Sequence, residues 1–246
     1  MQYPRRFGIA LVASATLLAS GAALAVDGVV LIDQNKALAG GVTPGDAAGF
    51  PVTITQPGSY RLSGNLTVPD ANTTAITIAA SNVTIDLNGF SILGPVVCTG
   101  TSSVTSCAPA GNGDGIESTI DTTTSSLRAN ITVMNGTIKG TGAYGVKLDG
   151  CQGCTVEKVT ASHNGIIGIL IGRGRVSESR AFSNGLRGIQ NASGPMLYNH
   201  AAFNKEIGII ANCPGSVIGN VAEFNGTQGL FINGGSCVAA TNSTAP

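Results

Sequence analysis

The stretch from Thr155 to Gly235 repeats one short pattern four times, and this repetition restricts the folds open to the chain. An alanine, an asparagine, and a glycine followed by Ile or Leu recur at the same places in each unit. The aligned positions are Ala161, Ala181, Ala201 and Ala222; Asn164, Asn184, Asn204 and Asn225; and Gly168, Gly188, Gly208 and Gly229. The asparagines are 20, 20 and then 21 residues apart. Such a period predicts a repeat architecture, in which each unit buries its apolar face only by stacking on its neighbours.

Within each unit the apolar residues fall in short β-type runs bounded by Gly, Pro or Asn, without helical periodicity. The pattern extends back to about residue 51, because Gly115-Ile116 and Gly145-Val146 repeat the step from glycine to an aliphatic residue. Three short strands in a unit of this length are typical of a parallel β-helix. We therefore predict an all-β fold, in which residues 51–237 form a single solenoid of about seven coils stacked at about 4.8 Å.

The alternation of side chains along a strand predicts which residues face the core. One inward row is predicted at Ile116, Val146, Ile169, Ile189, Ile209 and Leu230. A second inward row, two residues further on, contains Leu148, Ile171, Asn191, Ala211 and Ile232. Asn191 is the polar exception, which hydrogen bonds must satisfy. The aligned asparagines predict a ladder in which each side-chain amide bonds the next coil.

The segments outside the repeat have other compositions. Residues 1–25 contain a charged Arg5-Arg6 pair, an apolar run too short to span a bilayer and an Ala23-Leu24-Ala25 cleavage pattern. They predict a signal peptide and an exported protein, periplasmic or extracellular, and no later run predicts a membrane span. Residues 26–50 are predicted as an irregular N-terminal cap with a short helix near 35–39. Residues 96–110 are predicted as an inserted loop and residues 238–246 as a flexible tail.

Six cysteines in an exported chain favour disulfides over metal ligands. Their order along the chain predicts the pairs Cys98–Cys107, Cys151–Cys154 and Cys213–Cys237. The Cys151-Gln152-Gly153-Cys154 run also permits a redox site. A structural bridge is the preferred interpretation, because no helix start is available there to activate a thiol.

The charge of the chain excludes one class of partner. Without Arg5 and Arg6 the sequence carries 11 basic and 13 acidic residues, a formal net charge of −2, and the basic residues form no run or face. Nucleic-acid binding requires such a basic surface, so no nucleic-acid partner is expected.

The run Asn164-Gly165-Ile166-Ile167-Gly168-Ile169 and the run Val83-Thr84-Ile85-Asp86-Leu87-Asn88-Gly89 resemble the right-handed parallel β-helix repeat proteins. This pectate lyase-like superfamily includes pectate lyases, polygalacturonases and mannuronan epimerases. The resemblance covers residues 51 to about 235 and implies a right-handed solenoid and ligands among sugar-acid polymers. The catalytic motifs of these enzymes, Asn-Thr-Asp, Asp-Asp, Gly-His-Gly, Arg-Ile-Lys and Asp-Pro-His-Asp, do not occur in the chain. The resemblance therefore concerns the fold and not the chemistry.

The acidic residues of the repeat region occupy different columns. They are Asp86, Asp114, Asp149, Glu157, Glu178, Glu206 and Glu223. A glycoside hydrolase needs two carboxylates at a fixed separation, and a calcium site needs several converging oxygen atoms. The scatter argues against both, and no metal or other cofactor is expected.

One outward row offers groups that a lyase or epimerase could use. Thr160, Arg180 and His200 share a column on successive coils, and Lys158, Glu178 and Tyr198 share a column two residues earlier. Tyr198 or His200 could remove the proton next to a uronate carboxylate, while Arg180 stabilises the resulting charge. Lys158, Glu178 and Thr160 would contact the ligand. The alternative, which we prefer at this stage, is a solvated strand face of mixed polar residues.

A second outward row contains Glu117, Lys147, Leu170, Gln190, Ile210 and Phe231 and becomes apolar toward the C-terminus. Leu170, Ile210 and Phe231 could pack on another subunit or be covered by the C-terminal tail. Cover by the tail is the simpler interpretation.

Two functions remain open on these observations. The leading expectation is a non-catalytic exported protein that binds a polysaccharide or serves as a surface scaffold. The alternative is a polysaccharide lyase or epimerase acting on uronate-containing polymers. A cleft lined by the loop from Cys98 to Cys107 would favour the enzyme, and a smooth rod would favour the scaffold.

Overall fold

A computed structural model describes residues 28–121 and 123–245 of the chain. In chain order its elements are β1 (Val30–Ile32), α1 (Gln34–Ala39), β2 (Val52–Ile54), β3 (Gly58–Leu62), β4 (Leu66–Thr67), β5 (Ile76–Ile78), β6 (Val83–Asp86), β7 (Ser91–Leu93), β8 (Val97–Thr99), β9 (Ser106–Ala108), β10 (Ile116–Ser118), β11 (Arg128–Ala129), β12 (Ile131–Lys139), β13 (Val146–Ser162), β14 (Ile167–Ser177), β15 (Arg180–Phe182), β16 (Arg187–Asn191), β17 (Met196–Leu197), β18 (His200–Ala202), β19 (Ile207–Asn212), β20 (Gly215–Ile218), β21 (Val221–Glu223), β22 (Gln228–Asn233), β23 (Cys237–Ala240) and β24 (Ser243–Thr244).

The strands stack into a parallel β-solenoid of about nine turns, as the repeat predicts. Its three sheets are here called faces A, B and C. Face A contains β2, β5, β10, β16, β19, β22 and the first parts of β13 and β14. Face B contains β1, β3, β6, β17, β20, β23, the first part of β12, the central part of β13 and the last part of β14. Face C contains β4, β7, β15, β18, β21, β24 and the last parts of β12 and β13.

The corners between the faces are formed by residues in the left-handed region of backbone conformation. The row between faces B and C, here the B–C corner, contains Lys158, Glu178, Tyr198 and Gly219, with φ from 49° to 67°. The row between faces C and A, here the C–A corner, contains His163, Ser183, Phe203 and Phe224, with φ from 52° to 59°. This conformation costs a non-glycine residue roughly 1–2 kcal/mol. At both corners the following residue is commonly a buried asparagine, whose hydrogen bonds offset that cost.

The predicted core is confirmed. Ile116, Val146, Ile169, Ile189 and Ile209 are in register on face A and are fully buried. Asn191 is also fully buried, and its amide group is satisfied. Its Nδ2 donates to Gly174 O at 2.9 Å and to Gly194 O at 3.3 Å, and its Oδ1 accepts from Ser193 N at 3.0 Å. The polar residue in the inward row therefore joins two neighbouring coils.

The solenoid is longer than predicted at both ends. Residues 26–50 contain β1, which pairs with β3 on face B, so part of the predicted irregular segment is an additional turn. In the predicted flexible tail, residues 238–246, β23 and β24 pair in parallel with β20 and β21, so most of its described part belongs to the solenoid. The repeat motif is degenerate in these terminal strands, so the pattern alone predicted about seven coils where about nine are present.

Side chains close the free strand edges at the N-terminal end. The short helix is confirmed as α1, with Asp33 Oδ1 capping the backbone N–H of Lys36 at 2.8 Å. Gln34 bonds both the N–H and the carbonyl group of Thr67 in β4, at 2.7 and 3.2 Å. Asp46 Oδ1 accepts from Thr53 N in β2 at 2.7 Å. These bonds satisfy edge groups that would otherwise be open to another strand.

The three predicted disulfides, Cys98–Cys107, Cys151–Cys154 and Cys213–Cys237, are all present. The predicted inserted loop is an antiparallel hairpin of β8 and β9, with Cys98 opposite Cys107. Disulfides are typical of oxidising compartments. Among the described residues no helix is long and apolar enough to cross a membrane. The predicted signal peptide, residues 1–25, lies outside the described residues.

Candidate functional site

Two ladders of buried asparagines hold the outward residues of face C in position. The predicted ladder is present: Asn164 Nδ2 donates to Asn184 Oδ1 at 3.0 Å, and Asn184 Nδ2 donates to Asn204 Oδ1 at 2.9 Å. Asn204 Nδ2 continues it to Asn225 Oδ1 at 2.9 Å. Along the chain, each asparagine of this ladder comes directly after a residue of the C–A corner and before a strand of face A. The outward residues of that corner are therefore fixed by the bonds of their inward neighbours.

The sequence interpretation missed a second ladder, which follows the B–C corner. Asn199 Nδ2 donates to Asn220 Oδ1, and Asn220 Nδ2 donates to Asn242 Oδ1, both at 3.0 Å. The backbone N–H of Ser179 donates to Asn199 Oδ1 at 3.1 Å and extends the ladder to the coil before. The signal was available, because these three asparagines are 21 and 22 residues apart. Face C is thus bounded on both sides by buried amide columns.

The register on face C is as the sequence predicts. Thr160 lies opposite Arg180, and Arg180 lies opposite His200. Arg180 is exposed, whereas Thr160 and His200 are half-buried. Within the described residues Arg180 has no carboxylate within ion-pair distance, unlike the arginines at positions 61, 128 and 175. The guanidinium group is therefore free to bind an anion from solution.

His200 is held from both sides. Its ring meets the ring of Phe182 edge to face, with centroids 5.1 Å apart and planes at 87°. On the other side its Nε2 lies 3.0 Å from Glu223 Oε1. Glu223 was counted among the scattered acids of the sequence, yet it is the direct partner of this histidine. One of the two ring nitrogens, Nε2, is therefore engaged by a carboxylate.

Tyr198 is the most exposed aromatic residue on this side of the solenoid. Its side chain is 63% exposed at the B–C corner. A Cβ atom on Gly219, one coil further on, would lie 2.4 Å from Tyr198 Cδ1 and 2.5 Å from Cε1. The ring therefore lies against the backbone of Gly219, which has no side chain to displace it. This contact presents the opposite face of the ring to solvent.

The other two residues of the predicted ligand-binding column pair with one another. Lys158 Nζ lies 3.4 Å from Glu157 Oε1 and 4.0 Å from Glu178 Oε2. Lys158 and Glu178 are both more than half exposed, and such surface pairs contribute little to stability. Both charged groups can therefore exchange their partner for a ligand at small cost.

A groove lies where the disulfide hairpin crosses the C–A corner. The backbone N–H of Val104 donates to Phe203 O at 3.0 Å, and Cys98 Sγ lies 3.8 Å from Asn164 O. The groove has a volume of about 430 Å³. The hairpin lines it with Cys98, Thr99, Gly100, Thr101, Ser103 and Val104, and the corner lines it with His163, Ser183 and Phe203. Because the loop has no periodicity, its path over these coils could not be predicted from the sequence.

His163 is the only titratable group in the lining of that groove. Burial, and then the positive charge of Lys139, lower the pKa of the imidazole. Its Nδ1 has no solvent contact and no hydrogen-bond partner within the described part of the chain. The left-handed backbone of His163, with φ of 55°, fits its position in the turn between faces C and A. The structure adds that the ring lies in a cleft.

A separate titratable cluster on face A was not anticipated. Asp114 Oδ2 lies 3.6 Å from Lys147 Nζ, and the Asp114 side chain is 3% exposed. Glu117 lies 4.0 Å from the same ammonium group, and the backbone N–H of Tyr144 donates to Asp114 Oδ1 at 3.0 Å. Burial raises the pKa of Asp114 to about 6, although the bond from Tyr144 and the charge of Lys147 oppose the shift. The cluster joins a buried carboxylate to a half-buried lysine and lies on face A, not on face C.

The apolar outward row of face A is in register as predicted, with Leu170, Gln190, Ile210 and Phe231 on successive coils. The C-terminal residues do not cover it, because β23 and β24 continue faces B and C. Ile210 is nevertheless only 7% exposed, and Phe231 is 40% exposed. Apolar surface is therefore concentrated at the last coil.

The described residues contain no group of three or more His, Cys, Asp or Glu side chains placed to hold a metal ion. No protein-family model, no curated protein and no solved structure matches this chain. The strand pairing alone establishes the β-solenoid, and a fold does not specify a function. The surface of face C therefore carries the functional argument.

Proposed function

We propose that this protein is a non-catalytic, exported carbohydrate-binding solenoid, and that face C binds an acidic polysaccharide. The observation that carries the proposal is the pair of Arg180 and Tyr198. Arg180 is an exposed cation without an ion-pair partner among the described residues, and the Tyr198 ring lies exposed against Gly219. A guanidinium group binds a carboxylate through two parallel hydrogen bonds. An exposed aromatic ring stacks on the apolar C–H face of a sugar.

The spacing of the coils supports a polymeric ligand. Successive strands are about 4.8 Å apart, which is comparable with the length of one sugar residue. A chain running parallel to the solenoid axis would therefore meet one coil with each residue. Thr160, Arg180 and His200 are equivalent positions on three successive coils and would contact successive sugars. Lys158 and Glu178 would contact the same chain from the B–C corner.

A binding function is preferred over catalysis because Arg180, Tyr198 and His200 do not line the groove. Proton abstraction needs a base placed within reach of the substrate. His200 Nε2 is 3.0 Å from Glu223, and the Phe182 ring packs against the imidazole. These contacts fix the ring and fit a positioning role for the histidine beside Arg180.

The alternative function is a polysaccharide lyase or epimerase, and one observation favours it. The groove beneath the disulfide hairpin is a cleft of the kind expected for an enzyme. Its lining contains hydroxyl groups and a single imidazole, however, and neither Arg180 nor Tyr198 is part of it. Membership of the pectate lyase-like superfamily and export from the cell belong to the same proposal. They rest on the repeat motifs and on the pattern of residues 1–25.

Affinity electrophoresis tests the proposal. The purified protein should be retarded in gels that contain polygalacturonate or alginate, and less in gels that contain a neutral polymer. Arg180→Ala should weaken the retardation about tenfold or more, because a charge-assisted contact is lost. Tyr198→Ala should weaken retardation by both uronate polymers as well. The matched control is Arg173→Ala, which removes an exposed arginine that does not lie on face C.

Two results would contradict the proposal. Equal retardation of wild type and Arg180→Ala would remove face C from the binding surface. Release of unsaturated uronate, followed by its absorbance and abolished by His200→Ala or Tyr198→Phe, would make the protein a lyase.

A further inference from the structure

The groove beneath the disulfide hairpin is a built feature of the fold. The hairpin leaves the solenoid after β7 and returns before β10, yet it contacts coils much further along the axis. Cys98 Sγ lies near Asn164 O, and Val104 bonds Phe203 O. A Cβ atom on Gly226 would lie 3.1 Å from Ser103 Oγ, so the hairpin tip reaches the following coil as well. Cys98 and Val104 are buried, which fixes the hairpin on the corner.

Several hydroxyl groups that line the groove have no partner within the described residues. Those of Thr101, Ser103 and Ser183 make no hydrogen bond there, whereas Thr99 Oγ1 lies 3.2 Å from Ser106 Oγ. Hydroxyl groups both donate and accept, and a neutral imidazole does the same with its two nitrogens. No lysine, arginine, aspartate or glutamate lines the groove. Its chemistry therefore fits a ligand that is uncharged and rich in hydroxyl groups.

Phe203 provides an apolar surface in the same groove. Its ring is 41% exposed and stacks on Phe224 of the next coil, with centroids 5.4 Å apart and planes at 9°. Stacking fixes the orientation of the ring without covering both of its faces. A volume of about 430 Å³ lies within the usual range for small-molecule sites.

We propose that this groove is a binding site for an uncharged sugar residue, which stacks on Phe203 and hydrogen-bonds to Ser183 and His163. The inference rests on the proposed carbohydrate-binding function and extends it to a second site on the same protein. His163, Ser183 and Phe203 directly follow the outward residues of face C. A neutral residue of a mixed polymer could occupy the groove while an acidic residue binds at Arg180.

Ligand-observed saturation-transfer NMR with neutral disaccharides of gluco, galacto and manno configuration tests the site, followed by calorimetric titration of any disaccharide that binds. Phe203→Ala should weaken binding at least tenfold. His163→Asn should also weaken it, and asparagine tolerates the left-handed backbone at that position. Phe231→Ala is the matched control, because it removes a similarly exposed phenylalanine that lies on face A and does not line the groove.

Arg180→Ala separates this inference from the proposed function. Binding of a neutral disaccharide that is lost in Phe203→Ala and His163→Asn but kept in Arg180→Ala and Phe231→Ala supports the groove. Binding that survives both groove variants overturns it, and so does the absence of binding by every disaccharide. Retardation by uronate polymers that depends on Arg180 would in those cases still uphold face C. Equal retardation of wild type and Arg180→Ala by uronate polymers, with disaccharide binding still dependent on Phe203 and His163, would overturn face C and leave the groove.

Discussion

At the scale of single residues, the exposed aromatic side chains at the two edges of face C depend on left-handed corner positions. Tyr198 and Phe203 both adopt positive φ, and the residues after them, Asn199 and Asn204, are fully buried in the two ladders. The inward amide determines that the preceding ring points outward. Both asparagine columns are visible in the sequence. Once the corner geometry is known, the exposure of Tyr198 and Phe203 therefore follows from the sequence. The burial of Asp114 does not follow, because it depends on Lys147 and Tyr144 in a neighbouring coil.

Asp114 should make stability depend on pH in an identifiable window. Its folded-state pKa of about 6 exceeds the ordinary value of 3.8, so the protonated form is favoured by folding. Its stabilising contribution is complete below about pH 4 and is lost as the pH rises through 6. Asp114→Asn should therefore gain stability relative to wild type by roughly 3 kcal/mol between pH 4 and pH 8. Urea unfolding at several pH values measures this difference.

The control for that prediction is Asp121→Asn, which changes a half-buried aspartate in a turn. Hydrogen bonds from Thr124 and Thr123 lower the pKa of Asp121, so its pH dependence should have the opposite sign and be small. A difference between Asp114→Asn and wild type that stays constant across the pH range would contradict the assignment.

At the scale of elements, the ladders add side-chain hydrogen bonds in the interior to the backbone pairing between coils. Asn184 accepts from the backbone N–H and Nδ2 of Asn164, at 3.1 and 3.0 Å. It donates to Ala161 O at 3.2 Å and to Asn204 Oδ1 at 2.9 Å. The period of the sequence predicts this alignment directly. The path of the hairpin over the same corner was not predictable, because an insertion carries no register with the repeat.

Asn184→Ala should destabilise the protein by about 3 kcal/mol or more, since several buried polar groups would lose their partners. Asn225→Ala, at the half-buried end of the same ladder, should cost clearly less. Thermal or urea unfolding of both variants measures the two costs. Asn233→Ala is the control, because Asn233 is an exposed asparagine. Equal losses for Asn184→Ala and Asn225→Ala would show that ladder position does not matter.

At the scale of the whole molecule, the solenoid has two different ends. Side chains of Gln34, Thr43 and Asp46 satisfy the strand edges at the first coil. In the last coil Leu230 and Ile232 are only half-buried, whereas Ile209 in the preceding coil is fully buried. Each coil of a solenoid is stabilised by its neighbours, so a coil with one packed neighbour opens more easily.

Hydrogen exchange should therefore be fastest at the C-terminal end of the solenoid. Amide groups of β22, β23 and β24 should exchange well before those of β14 and β16, because opening the last coil exposes little core. Mass-spectrometric exchange of the native protein, resolved by peptide, measures this gradient. Protection of β22 equal to that of β16 would indicate that the last coil is covered by something else.

The sequence by itself determined the repeat, the inward rows, the first asparagine ladder, the disulfide pairs and the alignment of Arg180 with His200. Except for the disulfide pairs, which follow from the order of the cysteines, these features follow from a fixed period, because residues one period apart must stack. Only the tertiary structure decided where the non-periodic parts lie. The hairpin over His163 and Phe203, the contact of Tyr198 with Gly219, the pairing of His200 with Glu223 and the burial of Asp114 depend on side-chain packing between coils. Periodicity specifies which residues share a column, whereas the space around each column depends on side chains that differ from one coil to the next.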